Sequence, residues 1–125
     1  TPAQAWLSVN PNHTRMNASA QVDDPNSVVT HYQKLIALRK QYDVIAYGDF
    51  APLDETHPSV LAYTRRFHGE QLVVINNFYR SEVDWSCPTN LDGFTCLLSN
   101  YADSSVQTKL HLRPYESLVL YHAAK

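Results

Sequence analysis

Apolar positions follow a helical period in the first third of this chain and a strand-like pattern in the rest. The stretch from Asp24 to Tyr42, DPNSVVTHYQKLIALRKQY, carries apolar side chains at steps of three and four residues, which predicts one amphipathic helix. Asp24 suits the N-cap and Pro25 the first helical position. The apolar stripe is formed by Val28, Tyr32, Leu35, Leu38 and Tyr42, and widened by Val29, Ile36 and Ala37. This face is wider than a small domain usually needs, so we expect the helix to pack against a large neighbour.

From Val44 onward, short apolar runs separated by turn residues predict strands. Residues 68–70, His-Gly-Glu, indicate a hairpin turn, and the four apolar residues from Leu72 to Ile75 indicate a central strand that is buried on both faces. The predicted strands are Val44–Phe50, Val60–Phe67, Gln71–Phe78, Val83–Ser86, Phe94–Ser99, Val106–Leu112 and Glu116–His122. The pattern therefore predicts a mostly β fold, an antiparallel sandwich or barrel of about seven strands preceded by one α-helix.

The segment from Thr1 to Asp23 has neither period and is rich in Pro, Asn, Ser and Thr, which predicts an ordered loop or a tail. Its apolar anchors are Trp6, Leu7 and Val9, and residues 9–13, VNPNH, read as a turn. Because the chain starts at Thr1 without an initiator Met, we expect it to be a segment of a longer protein.

The length, net charge and cysteine content of the chain narrow the class of protein to which it can belong. The 125 residues are 44% hydrophobic, which fits one globular domain or one small domain with an appendage. A net charge of −2 without a basic stripe argues against a nucleic-acid partner, and no apolar run approaches the length of a membrane span. Cys87 and Cys96 allow two alternatives, a single bridge closing the loop between them or two reduced thiols.

The sequence carries no recognisable catalytic or metal-binding motif. The six histidines are never spaced i,i+4, and the chain has no C-x-x-C, no G-x-S-x-G and no glycine-rich phosphate loop. Most Asp and Glu residues lie in predicted turns or loops or at the predicted helix start, which is typical of caps and solvated loops. We therefore predict no catalytic residue, no metal site and no cofactor.

Exposed aromatic rings are the remaining candidates for a binding function. Sugars stack on such rings, so Tyr79, Trp85, Phe94 and Tyr101 are candidates for a carbohydrate platform. The alternative, which we favour, is that these rings pack the core and rim of a small sandwich.

Four segments, in order, resemble the end of the α-glucosidases in the α-amylase superfamily (glycoside hydrolase family 13). They are WLSVNPNH at 6–13, similar to that group's W-[IL]-x-V-N-P-N-[YH] loop, then DPNSVVTHYQKLIALRKQYDVIAYGDF at 24–50, VLAYTRRFHGEQLVVINNF at 60–78 and LRPYESLVLY at 112–121. The nearest subgroup resembles the oligo-1,6-glucosidases, dextran glucosidases and trehalose-6-phosphate hydrolases. Ala5 departs from the family, which usually has Pro before this Trp, and the segment between the cysteines matches no family pattern.

The resemblance implies an architecture in which a catalytic (β/α)8 barrel is followed by an antiparallel β-sandwich. Residues 1–43 would then supply a loop and the last barrel helix, and residues 44–125 the sandwich. The family's catalytic carboxylates belong to segments before Thr1, so none is assigned here. The barrel-facing side chains of the helix would be Val28, Tyr32, Leu35 and Ile36. Without the barrel, this helix would pack on its own sandwich, pair with a second copy to form a dimer, or fray.

Three functions compete at this point. The first is a non-catalytic C-terminal domain that braces the barrel of a cytoplasmic α-glucosidase acting on short oligosaccharides, including phosphorylated ones. The second is a carbohydrate-binding module that uses Trp85, Tyr79 and Tyr101. The third is an inactive superfamily member acting as an interaction subunit, for which glycosylation-type triplets at Asn12 and Asn17 would fit secretion.

Overall fold

The computed structural model describes residues 7–124, and the chain divides into two compact units, Thr1–Gln41 and Tyr42–Lys125. The predicted anchor Trp6 and the departure at Ala5 lie outside the described residues. The helical elements are a 3-10 helix at Pro11–Thr14, α1 at Ala18–Gln21, α2 at Val28–Gln41 and α3 at Asp43–Tyr47. The seven strands are β1 Ala51–Leu53, β2 Val60–Phe67, β3 Glu70–Asn77, β4 Val83–Ser86, β5 Thr95–Ser99, β6 Lys109–Leu112 and β7 Ser117–His122.

Asparagine caps shape the segment before α2. The side chain of Asn10 accepts a hydrogen bond from the Asn12 backbone N–H at 3.1 Å and so begins the 3-10 helix in which Pro11 takes the first position. The side chain of Asn17 accepts from the Ala20 N–H at 2.9 Å at the start of α1. The predicted turn at residues 9–13 is therefore a short 3-10 helix, because the Asn oxygens satisfy backbone donors that a helix start leaves free.

Helix α2 begins at Val28, so the prediction that Asp24 is its N-cap is wrong. Ser27 takes that role, since its Oγ accepts from the Thr30 N–H at 3.1 Å and donates to the Gln21 carbonyl at 2.6 Å. Asp24 instead forms a turn, in which its side chain accepts from the Asn26 N–H at 2.9 Å. A serine three residues further along competes successfully because it bonds both the helix and the preceding segment.

The strands form one five-stranded and one two-stranded antiparallel sheet, and the prediction of a mostly β sandwich of about seven strands is confirmed. The larger sheet has the order β1-β2-β3-β7-β5, and the smaller pairs β4 with β6. The β2–β3 hairpin turns through His68 and Gly69, both at positive φ of 47° and 88°, a geometry that the right-handed twist of the strands favours. Strand β3 is central, as its apolar run predicted.

Each face of the large sheet has its own apolar cluster. One cluster lies between this sheet and the β4–β6 pair and includes Ile75, Trp85, Leu112 and Leu120. The other lies on the opposite face, where Val44 of α3 packs with side chains of β3 and β7 and is fully buried. Because β3 and β7 are covered on both faces, they read as continuous apolar runs rather than alternating ones.

The prediction of a strand at Val44–Phe50 is wrong, because Asp43–Tyr47 is the helix α3. Helix α3 ends at Tyr47 and is C-capped by Gly48, where a side-chain Cβ would lie 2.5 Å from the Val44 carbonyl oxygen. The guanidinium of Arg65 on β2 donates to the carbonyls of Ile45 and Gly48 and so satisfies the C-terminal end of the helix. The β-branched run alone predicts a strand, but these long-range bonds favour the helix.

The two cysteines are free, with Cys87 buried and Cys96 exposed, so the reduced alternative describes this structure. Burial is the largest cause that raises the pKa of both thiols, and backbone hydrogen bonds, with Thr89 for Cys87 and with Leu98 for Cys96, act in the opposite direction. Within residues 7–124, no helix combines the length and apolar character that crossing a membrane requires.

Candidate functional site

The first candidate site is the apolar face of α2, which the structure leaves open. Val28, Tyr32 and Ile36 are 67%, 61% and 52% exposed, and Leu35 is 37% exposed. No residue of this 14-residue helix is buried. A contiguous apolar surface of this kind usually marks an interaction site. The orientation of these four side chains toward a barrel stays a prediction, since the described residues include no barrel strand.

The second candidate is the carbohydrate platform, for which four residues were predicted. Phe94 is half-buried and packs against the apolar cluster between the two sheets, and the other three residues have different environments. Trp85 on β4 is only 5% exposed, and its Nε1–H donates to Asp54 Oδ2 at 2.9 Å. Tyr101 is half-buried, its ring lies 3.9 Å from the Arg113 guanidinium, and its hydroxyl donates to a backbone carbonyl. Tyr79 is 55% exposed. Of the three, Tyr79 alone therefore presents a largely open ring.

Tyr79 lines a cleft of about 380 Å³ at the ends of β1, β2 and β3. Leu61 and Phe78, which are 48% and 60% exposed, lie along the same cleft, and Asp54 and His57 supply polar groups. Phe78 was not among the residues predicted to bind sugar, because the apolar pattern includes it as the last residue of the predicted strand Gln71–Phe78. Strand β3 ends at Asn77, whose side chain bonds the loop that follows, and Phe78 therefore falls outside the sheet.

A second cleft, of about 370 Å³, contains an ion-pair network rather than open polar groups. Arg113 donates to Glu116 at 2.7 Å and to Asp103 at 2.6 Å, and Ser104 donates to Glu116 at 2.9 Å. Burial acts to raise the pKa of Glu116, but the hydrogen bonds from Arg113 and Ser104 outweigh it and the pKa is lowered overall. The hydrogen bond from Arg113 likewise lowers the pKa of Asp103. Because these groups satisfy one another, we interpret the network as structural.

A smaller exposed cluster joins β4 and β6. His111 Nδ1 lies 2.7 Å from Asp84 Oδ1, and its Nε2 lies 3.4 Å from Glu82. The hydrogen bond to Asp84 is the main cause that raises the pKa of His111. Across residues 7–124, no group of three His, Cys, Asp or Glu side chains is arranged to hold a metal ion.

The order of two family matches defines the class of protein. The α-amylase catalytic-domain family matches residues 1–48, and the family described as the α-amylase SusG C-terminal domain matches residues 60–119. Together they account for most of the chain, in the order that the resemblance implied. The chain belongs to the α-amylase superfamily of glycoside hydrolases.

Several individual relatives of the chain are glucosidases. The oligo-1,6-glucosidase of Halalkalibacterium halodurans is 41% identical over 123 residues, which are 95% of this chain and 22% of that enzyme. The palatinase of Erwinia rhapontici is 45% identical over 107 residues, 83% of this chain and 19% of that enzyme. The crystal structure of Bacillus licheniformis trehalose-6-phosphate hydrolase superimposes with a TM-score of 0.86 at 34% identity, covering 97% of this chain and 23% of that one. The chain thus spans about a fifth of the length of these relatives and matches their C-terminal region.

Proposed function

We propose that this chain is the non-catalytic C-terminal part of an α-glucosidase and that it braces the catalytic barrel of its parent. The observation that carries the proposal is the pair of family matches, a catalytic-domain match that ends at residue 48 and a C-terminal-domain match that begins at residue 60. The prediction that the barrel part covers residues 1–43 and the sandwich residues 44–125 belongs to this proposal. The chain alone is expected to be inactive.

The open face of α2 is the surface we assign to barrel contact. Val28, Tyr32, Leu35 and Ile36 would pack against barrel strands, in keeping with their exposure in this chain. Covering a few hundred Å² of apolar surface at roughly 25 cal/mol per Å² contributes on the order of several kcal/mol. That is comparable with the whole stability of an ordinary domain, so the contact would hold the two parts together.

The relatives suggest the chemistry of the parent. They include enzymes named oligo-1,6-glucosidase, palatinase and trehalose-6-phosphate hydrolase. We therefore propose that the parent hydrolyses α-glucosidic bonds in short oligosaccharides, with or without a phosphate. A cytoplasmic location is part of the proposal, supported by the two free thiols, because reduced cysteines are typical of that compartment.

A chimeric enzyme tests the proposal directly. This chain would replace the matching C-terminal segment of the H. halodurans oligo-1,6-glucosidase, and hydrolysis of isomaltose would be measured before and after heating. We expect the chimera to be active and the isolated chain to be inactive. Replacing Leu35 and Ile36 by Asp should lower the inactivation temperature of the chimera, because each change places a charge in the proposed apolar contact.

The matched control is a pair of Asp substitutions at Gln33 and Lys34, which are exposed on the same helix. This pair should leave the chimera nearly as heat-resistant as the parent chimera. Hydrolysis by the isolated chain would contradict the non-catalytic assignment. Equal loss of heat resistance from both pairs would contradict the assignment of the apolar face to barrel contact.

A further inference from the structure

The cleft beside Tyr79 combines open apolar faces with polar groups that the fold holds in place. Leu61, Phe78 and Tyr79 contribute apolar surface, and each is close to half exposed or more. Pro52 and Pro58 are exposed residues of the same cleft. A volume of about 380 Å³ is within the range of small-molecule sites. The side chains that complete the cleft decide which ligand it suits.

Asp54 offers a fixed acceptor in this cleft. Its Oδ2 accepts from the Trp85 indole N–H at 2.9 Å, and its Oδ1 accepts from Thr56 Oγ1 at 3.3 Å. Its backbone lies at a φ of 52°, a conformation that Asp tolerates better than most residues. A carboxylate has room for about four hydrogen bonds, so Asp54 retains capacity for a ligand hydroxyl.

His57 offers a fixed donor. Its Nδ1 accepts from the backbone N–H groups of Ser59 at 3.2 Å and Val60 at 3.0 Å. A ring nitrogen that accepts two hydrogen bonds carries no proton, so in the neutral ring the proton is on Nε2. The described residues include no hydrogen-bond partner for that Nε2–H, and it is the donor that His57 has left for a ligand.

We propose that this cleft is a binding site for a glucosyl unit of a short α-glucoside. A sugar ring presents an apolar C–H face and a rim of hydroxyls that both donate and accept. The rings of Phe78 and Tyr79 match the face, Asp54 accepts from a hydroxyl, and His57 donates to one. The choice of ligand class rests on the proposed function, in which the parent acts on such sugars.

The fold supplies its own reporter for this site, because the Trp85 indole N–H is bonded to Asp54. Isomaltose would be titrated into the 125-residue chain while the indole and backbone N–H resonances are followed by NMR. A Trp6→Phe variant assigns the Trp85 indole signal, since the chain has only two Trp residues. We expect the Trp85 indole and the amides of Phe78 and Tyr79 to shift together, with a dissociation constant on the order of millimolar.

Two variants make the result specific. Tyr79→Ala should weaken isomaltose binding at least about fivefold, because it removes an aromatic face. Tyr47→Ala is the control, since Tyr47 is 69% exposed but does not line the cleft, and it should leave the dissociation constant unchanged. Dispersed spectra of both variants would show that each is folded.

Other outcomes would overturn the proposal. These are the absence of a shift up to about 50 mM isomaltose, an equal shift with the acyclic polyol sorbitol, or unchanged binding by Tyr79→Ala. Shifts at these residues that depend on protein concentration without sugar would mean that a second copy occupies the cleft. The chimera experiment does not depend on this cleft, so the two proposals fail separately.

Discussion

Removing the guanidinium of Arg65 should release α3 from the sheet. Arg65 Nη1 donates to the Ile45 carbonyl at 2.7 Å, Nη2 donates to the Gly48 carbonyl, and Nε is shared between the carbonyls of Gly48 and Asp49 at 3.2 and 3.3 Å. These carbonyls end the helix, where a positive charge also meets the negative end of the helix dipole. In Arg65→Ala the three carbonyls lose this partner.

The expected cost follows from the number of bonds. A hydrogen bond that involves a charged group contributes about 1.5–3 kcal/mol, and a neutral one about 1 kcal/mol. Arg65 is half-buried, so solvent replaces part of what is lost, and we expect Arg65→Ala to lower the free energy of unfolding by about 3 kcal/mol. Arg65→Lys should recover only a minor part, because an ammonium group lacks the planar fork that reaches several carbonyls.

Urea unfolding followed by far-ultraviolet circular dichroism measures this loss, and amide exchange at Ile45 and Gly48 locates it. Arg66→Ala is a matched control on the same strand, since Arg66 is exposed and its side chain forms no hydrogen bond with any residue the structure describes. Its effect should stay within about 0.5 kcal/mol. Equal effects of the two substitutions, or unchanged exchange at Ile45 in Arg65→Ala, would refute the assignment of this role to Arg65.

Further predictions concern three single residues. Gly48→Ala should destabilise the chain by about 2 kcal/mol in urea unfolding, because the new Cβ would lie 2.5 Å from a carbonyl oxygen of α3. Glu116→Gln should cost on the order of 2 kcal/mol in the same assay by weakening the bonds to Arg113. Because the pKa of Glu116 is lowered on folding, its carboxylate should stabilise the fold at pH values above its pKa in the unfolded chain. This stabilisation should be lost as pH falls through the pKa of Glu116 in the folded chain. A free energy of unfolding that does not change with pH in the acid range would contradict this. Because Asp84 raises the pKa of His111, the contact between them should stabilise the fold at pH values below the pKa of His111 in the unfolded chain. This stabilisation should be lost as pH rises through the pKa of His111 in the folded chain. Melting curves measured at several pH values should show this loss, and His111→Gln should abolish it.

The local pattern of apolar and polar residues was sufficient to predict a strand where one face of the strand is buried and the adjoining turn is encoded in the neighbouring residues. The predicted bounds of β2 and β4 match those of the structure, and the central position of β3 followed from its apolar run. The predicted strand Val106–Leu112 is shorter in the structure and begins at Lys109. The alternation of apolar residues predicts a strand that starts before Lys109. In the structure only the four residues of β6 pair with residues of β4.

Features that depend on distant partners could not be predicted. Helix α3 depends on Arg65, about twenty residues further along the chain. Trp85 packs in the apolar cluster between the two sheets, and its indole N–H donates to Asp54, which is 31 residues earlier. The aromatic composition of the chain indicated rings suited to sugars, but it carries no information on which rings the sheets enclose. The cleft at Phe78 and Tyr79 appears only when the ends of three strands are placed together.

The position of α3 has a consequence for recombination between members of the superfamily. The catalytic-domain match extends to residue 48. Val44 is nevertheless fully buried against the face of the large sheet that lies opposite the β4–β6 pair, and Tyr42 packs its ring against Tyr121. A crossover after residue 48 would combine α3 from one ancestor with a sheet from another. Recombination just after Gln41 would transfer α3 with its own sheet, so shuffled glucosidases joined there should retain activity more often than those joined seven residues later.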